Sequence, residues 1–196
     1  MNNIAVLPRA LGVLYFYSPE SDLAKDVYND LTCLVDAYHW QDHAKAESLV
    51  QAMQLELGTA TKYSFSVLFE GQGELIAPPW GSVYQTKDNL IMGDSTEAYC
   101  EFLHRVGIEM DIPNQPLDHF GLMMWTLASL TEEGDQVAMI ELLSVHLLPW
   151  AYRYLELLSS TKESPFYVNL AGLTAEFLKN IQYDMGLELQ PTKLYK

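Results

Sequence analysis

Apolar residues recur along most of this chain at three- and four-residue intervals, the spacing of a helix with one buried face. Ile4, Val6, Leu7, Leu11, Leu14 and Tyr15 predict a first helix over 4–17. Ser18-Pro19 stops it, because a residue before proline avoids the helical region. Ser21 is the expected cap of a second helix carrying Leu23, Val27 and Leu31. A third is predicted over 42–57, with Ala44, Leu49, Val50, Met53 and Leu57 on one side and Gly58 at its end. A fourth runs from about 60 to 69 through Tyr63 and Val67, with Phe65, Leu68 and Phe69 beside them, and stops at Gly71 and Gly73.

The pattern then breaks. Between Gly71 and Gly93 lies Pro78-Pro79-Trp80-Gly81-Ser82-Val83-Tyr84, where two prolines fix φ and remove two backbone donors. This block is read as non-helical: a rigid aromatic loop with too little alternation for a sheet and at most a two-residue bridge. Asp94 and Ser95 offer caps to a helix running through Val106, with Ala98, Phe102 and Val106 inward. Asp111-Ile112-Pro113-Asn114-Gln115-Pro116 is the clearest boundary, its two prolines predicting an extended hinge.

Beyond it, Pro116 suits the first turn of a helix to Thr131 with Phe120, Met123, Met124, Leu127 and Leu130 at core spacing. Glu133-Gly134-Asp135 separates it from a helix through Met139, Leu142 and Leu143. Pro149 is expected to start another, to Ser160, and Ser164-Pro165 to open the last, through Leu170, Leu173, Phe177, Leu178 and Ile181 to Gly186. The tail after Gln190 reads as loose. The expected fold is all-α, a single globular bundle of about eight or more helices with one structured Pro/Trp loop. Its parts are an N-terminal helical lobe (1–110), a hinge (111–116) and a C-terminal helical lobe (117–196), forming one compact domain overall.

Composition narrows the function. With 26 acidic against 11 basic residues, the net charge of −15 repels phosphate backbones and anionic membrane surfaces. It favours a basic partner, or simply solubility. Cys33 and Cys100 form no CxxC pair, which points to reduced thiols. The N-terminus lacks a basic n-region and an A-x-A site. The longest apolar stretch, Leu142 to Leu158, contains His146, Arg153 and Glu156 and is broken by Pro149, so no span and no stable membrane insertion is expected. The expected location is cytoplasmic.

Candidate chemistry is sparse. No Walker motif, GxGxxG or GxSxG occurs. His39 and His43 stand at i,i+4, a metal-ligand spacing, but no HExxH surrounds them, and no metal or cofactor is expected. Cys100 and His104 share a helical face without a third group to orient them. Asp118-His119 follows the hinge at a helix start, where an acid complements the dipole and can orient an imidazole; the bland alternative is a capping acid and a satisfied histidine. His146, in an apolar run, reads as a core histidine. Trp80, Tyr84, Trp125 and Trp150 fit either an aromatic groove or the core. Met92, Met123 and Met124 suit an adaptable apolar surface or core filler.

Four stretches taken together resemble one family. They are Ala77-Pro78-Pro79-Trp80-Gly81-Ser82-Val83-Tyr84, Met92-Gly93-Asp94-Ser95-Thr96, Pro116-Leu117-Asp118-His119-Phe120-Gly121 and His146-Leu147-Leu148-Pro149-Trp150. In this order and at these separations they are similar to the TorD/DmsD family of redox-enzyme maturation chaperones, over nearly the whole chain and most of all to its DmsD branch, which serves dimethyl sulfoxide reductase. The resemblance implies a cytoplasmic, non-enzymatic chaperone that binds the twin-arginine leader of a molybdoenzyme catalytic subunit and holds the precursor until cofactor insertion, before export by the twin-arginine translocase. It also implies monomers or domain-swapped dimers. By position it assigns leader binding to Pro79, Trp80, Gly93, Pro116, Asp118 and His119, supported by Phe65, Leu68 and Phe69. Asp118 is expected to meet the arginine pair, and His119 to orient that contact or tune it with pH. Gln115 stands where the family has glutamate, and Gly73 where it has a tryptophan. Two other readings compete: a nucleotide-hydrolysing enzyme, or a general assembly factor gripping the folded reductase subunit.

Overall fold

The computed structural model describes residues 5–71, 75–113 and 115–196; Ile4, Gly73 and Asn114 lie outside them. In chain order the helices are α1 (Val6–Phe16), α2 (Asp22–Asn29), α3 (Cys33–Asp36), α4 (His43–Leu55), α5 (Lys62–Phe69), α6 (Gly81–Gln85), α7 (Asp94–Arg105), α8 (Phe120–Glu133), α9 (Gln136–Glu141), α10 (Leu148–Ser159) and α11 (Pro165–Asp184). A 3-10 turn, Leu57–Thr59, follows α4, and a π turn, Leu142–Leu147, joins α9 to α10. The all-α bundle expected from periodicity is what the chain forms.

Local chemistry sets most boundaries. The side chains of Ser21, Asp42, Asp135 and Ser164 accept the backbone N–H groups of Ala24, Lys45, Ala138 and Tyr167, each satisfying an orphan donor of a first helical turn. Thr61 and Ser64 form a reciprocal box that starts α5. Gly134, at φ 72°, closes α8 in the left-handed region that a side chain would resist. α1 packs along α8, while α4 and α10 pack on α11. One core therefore takes residues from both sides of 111–116, from Leu11 and Tyr15 to Phe120, Tyr154 and Phe177. Among the described residues, no helix is long and apolar enough to cross a membrane.

Several expectations need correction. α2 ends at Asn29, leaving Leu23 49% exposed and Ala24 as its buried residue. On α4, Ala44 is exposed, and Leu57 has passed into the 3-10 turn. On α5, Tyr63 points to solvent while Phe65, Leu68 and Phe69 are buried. α7 is turned from its predicted face. Ala98 is exposed, and Tyr99 is buried instead, its hydroxyl 2.7 Å from Thr126 Oγ1. Its cap is Gly93, without a side-chain bond. α8 begins at Phe120, because Pro116 to Asp118 form a turn that sets His119 at the cap.

Pro149 stands in the first turn of α10, as expected, but no loop sets α10 apart from α9. The backbone stays helical from Gln136 to Ser159, widening into the π turn just before the proline. The missing Pro149 N–H disrupts α-type pairing there, and Trp150 Nε1 donates back to the His146 carbonyl at 2.8 Å. Nor is the tail loose. Tyr195 N–H donates to the Tyr84 carbonyl at 2.9 Å, Lys196 Nζ donates to the Leu75 carbonyl at 3.2 Å, and Leu194 packs on the core.

Candidate functional site

The Pro/Trp loop is held by contacts remote in sequence. Phe120 N–H donates to the Pro79 carbonyl at 2.7 Å, Gly81 N–H to the Asp118 carbonyl at 3.2 Å, and Trp80 and His119 form an isolated antiparallel bridge. The block expected to be non-helical thus contains α6. Asp118 Oδ2 accepts the Ser82 N–H at 2.7 Å, so the carboxylate caps α6 from 36 residues away. The Ser82 hydroxyl accepts Met92 N–H at 3.2 Å and fixes the next loop.

This clip makes one wall of a cleft of about 310 Å³, lined by Tyr15, Phe16, Phe65, Phe69, Glu70, Trp80, Gln115 and His119. Its rings interlock edge to face: Phe16 with His119 at 5.1 Å, Trp80 with His119 at 5.8 Å, Tyr15 with Phe69 at 5.9 Å. Trp80 Nε1 is buried with no hydrogen-bond partner among the described residues. A buried donor left open costs free energy that an incoming acceptor recovers.

Four of the residues assigned by resemblance meet here: Phe65, Phe69, Trp80 and His119. Leu68 is buried on α5 and Pro79 is buried behind the loop, neither lining the cleft. Pro116 accepts the His119 N–H at 3.3 Å and sets the turn. Gly93 lies against the Thr86 side chain at the start of α7. Asp118 is 1% exposed, with its carboxylate turned to Ser82 rather than into the cleft, since the α6 N–H draws it inward. Tyr15, Phe16 and Glu70 were missed. Tyr15-Phe16-Tyr17 is a visible aromatic cluster, but only the packing of α1 on α8 brings it to this place.

His119 Nδ1 accepts the Gly121 N–H at 3.1 Å, which puts the imidazole proton on Nε2. Burial lowers its pKa from 6.5 to about 3, so it stays neutral and does not tune the cleft by charging near neutrality. Between those values the unfolded chain binds a proton that the native one refuses. Stability is therefore full above pH 6.5 and falls as the pH drops towards 3, at about 1.4 kcal/mol per unit. His119→Asn keeps a capping acceptor without the titration. Urea unfolding at pH 7 and pH 5 should show the wild type losing about 2 kcal/mol more than the variant over that interval; equal losses would mean that His119 protonates in the folded protein. Burial lowers the His146 pKa too, and the difference between the two proteins cancels that contribution.

Elsewhere the chemistry is quiet. Burial raises the Cys100 thiol pKa, which removes the case for an activated thiolate, and among the described residues no cluster of three His, Cys, Asp or Glu is arranged to hold a metal.

The family model described as nitrate reductase delta subunit matches residues 38–156. Over its full length the chain is 31% identical to the Tat proofreading chaperone DmsD of Salmonella typhi, covering 97% of that protein. It is 30% identical to the probable Tat proofreading chaperone DmsD of Haemophilus influenzae, covering 98% of it. It is also 26% identical, over 90% of its length, to 92% of the chaperone protein YcdY of Escherichia coli. The chain belongs to the nitrate reductase delta subunit family, within the TorD/DmsD group of redox-enzyme maturation chaperones, a family of chaperones rather than enzymes.

Proposed function

We propose that this chaperone binds the twin-arginine leader of a redox-enzyme catalytic subunit in the Trp80–His119 cleft. The client is a molybdoenzyme of the dimethyl sulfoxide reductase type, held in the cytoplasm until its cofactor is inserted and it is ready for export. The observation that carries the reading is the composition of the cleft: aromatic walls, Trp80 with its buried N–H left without a partner among the described residues, and one carboxylate, Glu70, within a chain of net charge −15. The rings take the leader's apolar segment, the indole N–H takes a main-chain carbonyl, and Glu70 takes a guanidinium in a charge-assisted bond. Asp118 acts one step back, as the positioning residue that holds the loop against His119.

Calorimetric titration with a twin-arginine leader peptide and a Lys-Lys version tests this. The arginine peptide should bind at least three-fold tighter, because only guanidinium makes the bidentate contact. Glu70→Gln should remove most of that preference, and Trp80→Phe, which keeps a ring but loses the N–H, should weaken the leader by roughly five-fold. Equal affinity of both peptides, or leader binding untouched by either substitution, would place the leader elsewhere.

A further inference from the structure

A second and larger cleft, of about 500 Å³, lies at the opposite end of α8 and has no part in the leader reading. His119 caps the start of α8 in the first cleft, whereas Thr131 and Gly134 bring its end to the second. A helix of 14 residues separates them by about 21 Å. The floor is apolar, from Tyr38, Met139, Ile181 and Met185, and the rim carries two carboxylates, Asp36 and Asp184, beside the His39 imidazole. Tyr38 donates to Asp184 Oδ2 at 2.7 Å and holds that carboxylate in place.

Three helix C-termini converge on this cleft, together with one N-terminus, that of α9 at Gln136, whose partial positive charge its cap Asp135 answers. Ala37, Gly134 and Met185, the C-terminal caps of α3, α8 and α11, all line it. The C-terminal end of a helix carries about half a negative charge, normally answered by a basic residue in the last turn. None of these three helices has one, and α3 and α11 end on the aspartates instead. The cleft therefore concentrates negative potential above an apolar floor. No metal-binding trio is arranged there among the described residues, so an ion of small radius lacks its ligands. The chemistry that fits is a cationic head on an aliphatic stem, lying along apolar surface with its charge at the rim.

We infer that this cleft docks a partner polypeptide through an arginine or lysine flanked by an apolar residue. The volume accepts a side chain together with its neighbour, within the range of sites that enclose compact ligands. This docking point stands on its own residues and holds whether or not the first cleft takes the leader.

Met139 and Met185 make it directly observable. In protein labelled with ¹³C at the methionine methyls, acetyl-leucyl-arginine amide should shift both signals saturably and leave the buried Met123 and Met124 unmoved. Acetyl-leucyl-citrulline amide, of the same shape without the charge, should bind at least ten-fold more weakly. The double substitution Asp36→Asn, Asp184→Asn, which keeps an acceptor for Tyr38, should weaken the arginine peptide by a similar factor. Acetyl-arginine amide, of the same single charge without the leucine, should bind at least ten-fold more weakly than the leucyl peptide. Equal binding of the citrulline peptide, unshifted Met139 and Met185 signals, or acetyl-arginine amide binding as tightly as the leucyl peptide would each overturn the proposal.

Discussion

Asp118→Ala is expected to lower the unfolding free energy by about 3 kcal/mol and to weaken the leader by more than ten-fold, while Asp118→Asn should leave both nearly unchanged. The Ser82 N–H that Asp118 accepts at 2.7 Å is fully buried, and alanine leaves it with no acceptor. The same change unfastens α6, and with it the backbone run that holds Trp80 opposite His119. Asparagine keeps the acceptor and exchanges a buried charge for an amide NH2 at the position of Oδ1, which has no partner among the described residues, so relief of the buried charge offsets the unpaired donor. Denaturant unfolding and leader titration on the two variants separate the roles. If Asp118→Asn folds normally but loses the leader ten-fold, the charge itself meets the arginines and the positioning role is wrong.

The second large effect lies where α1 crosses α8. Gly12→Val should destabilise the protein by about 3 kcal/mol, at the upper end of what overpacking usually costs. A Cβ on Gly12 would sit 2.7 Å from the Gly121 carbonyl oxygen and collide with Trp125 Cδ1. Rotating Trp125 breaks its 3.1 Å bond to the Arg9 carbonyl, and no rotation moves a backbone oxygen, so the helices must separate. Since α1 carries Tyr15 and Phe16 and α8 begins beside His119, the first cleft widens with them. Gly58→Ala, where a Cβ meets nothing within 4 Å, is the matched control and should change stability by less than about 0.5 kcal/mol. Equal midpoints for the two variants would show that the crossing has room to spare.

These two sites also mark the border of what the sequence could disclose. Wherever a boundary depends on a residue three positions away, as at Ser21, Asp42, Asp135 and Ser164, the sequence states it, because cap and capped N–H belong to one turn. The faces of long helices are legible for the same reason: every residue expected to be buried on α8, from Phe120 to Leu130, is buried. α6 is different, since its capping carboxylate comes from beyond the hinge and nothing near Gly81 announces it. On α7 the apolar and aromatic positions support two adjacent faces, and only the Tyr99–Thr126 contact with α8 decides between them. For the cleft, resemblance supplied Phe65, Phe69, Trp80 and His119, whereas Tyr15, Phe16 and Glu70 arrive through helix packing that no local pattern encodes.

The π turn at Leu142–Leu147 carries a consequence for chain length. A turn closed at i+5 absorbs one residue more than an α turn while its flanks keep their orientation. Met139 before it and Trp150 after it are both buried, with Trp150 stacked on Tyr84 at 5.4 Å beneath the Pro/Trp loop. The widened turn thus holds a residue of slack. Removing one residue there lets the coil narrow towards an α-helical path, still bent where Pro149 lacks its N–H, and the floor under the Trp80–His119 cleft stays in phase. The same deletion inside α10 would turn every later side chain by about 100°, carrying Tyr154 and Leu158 out of the core.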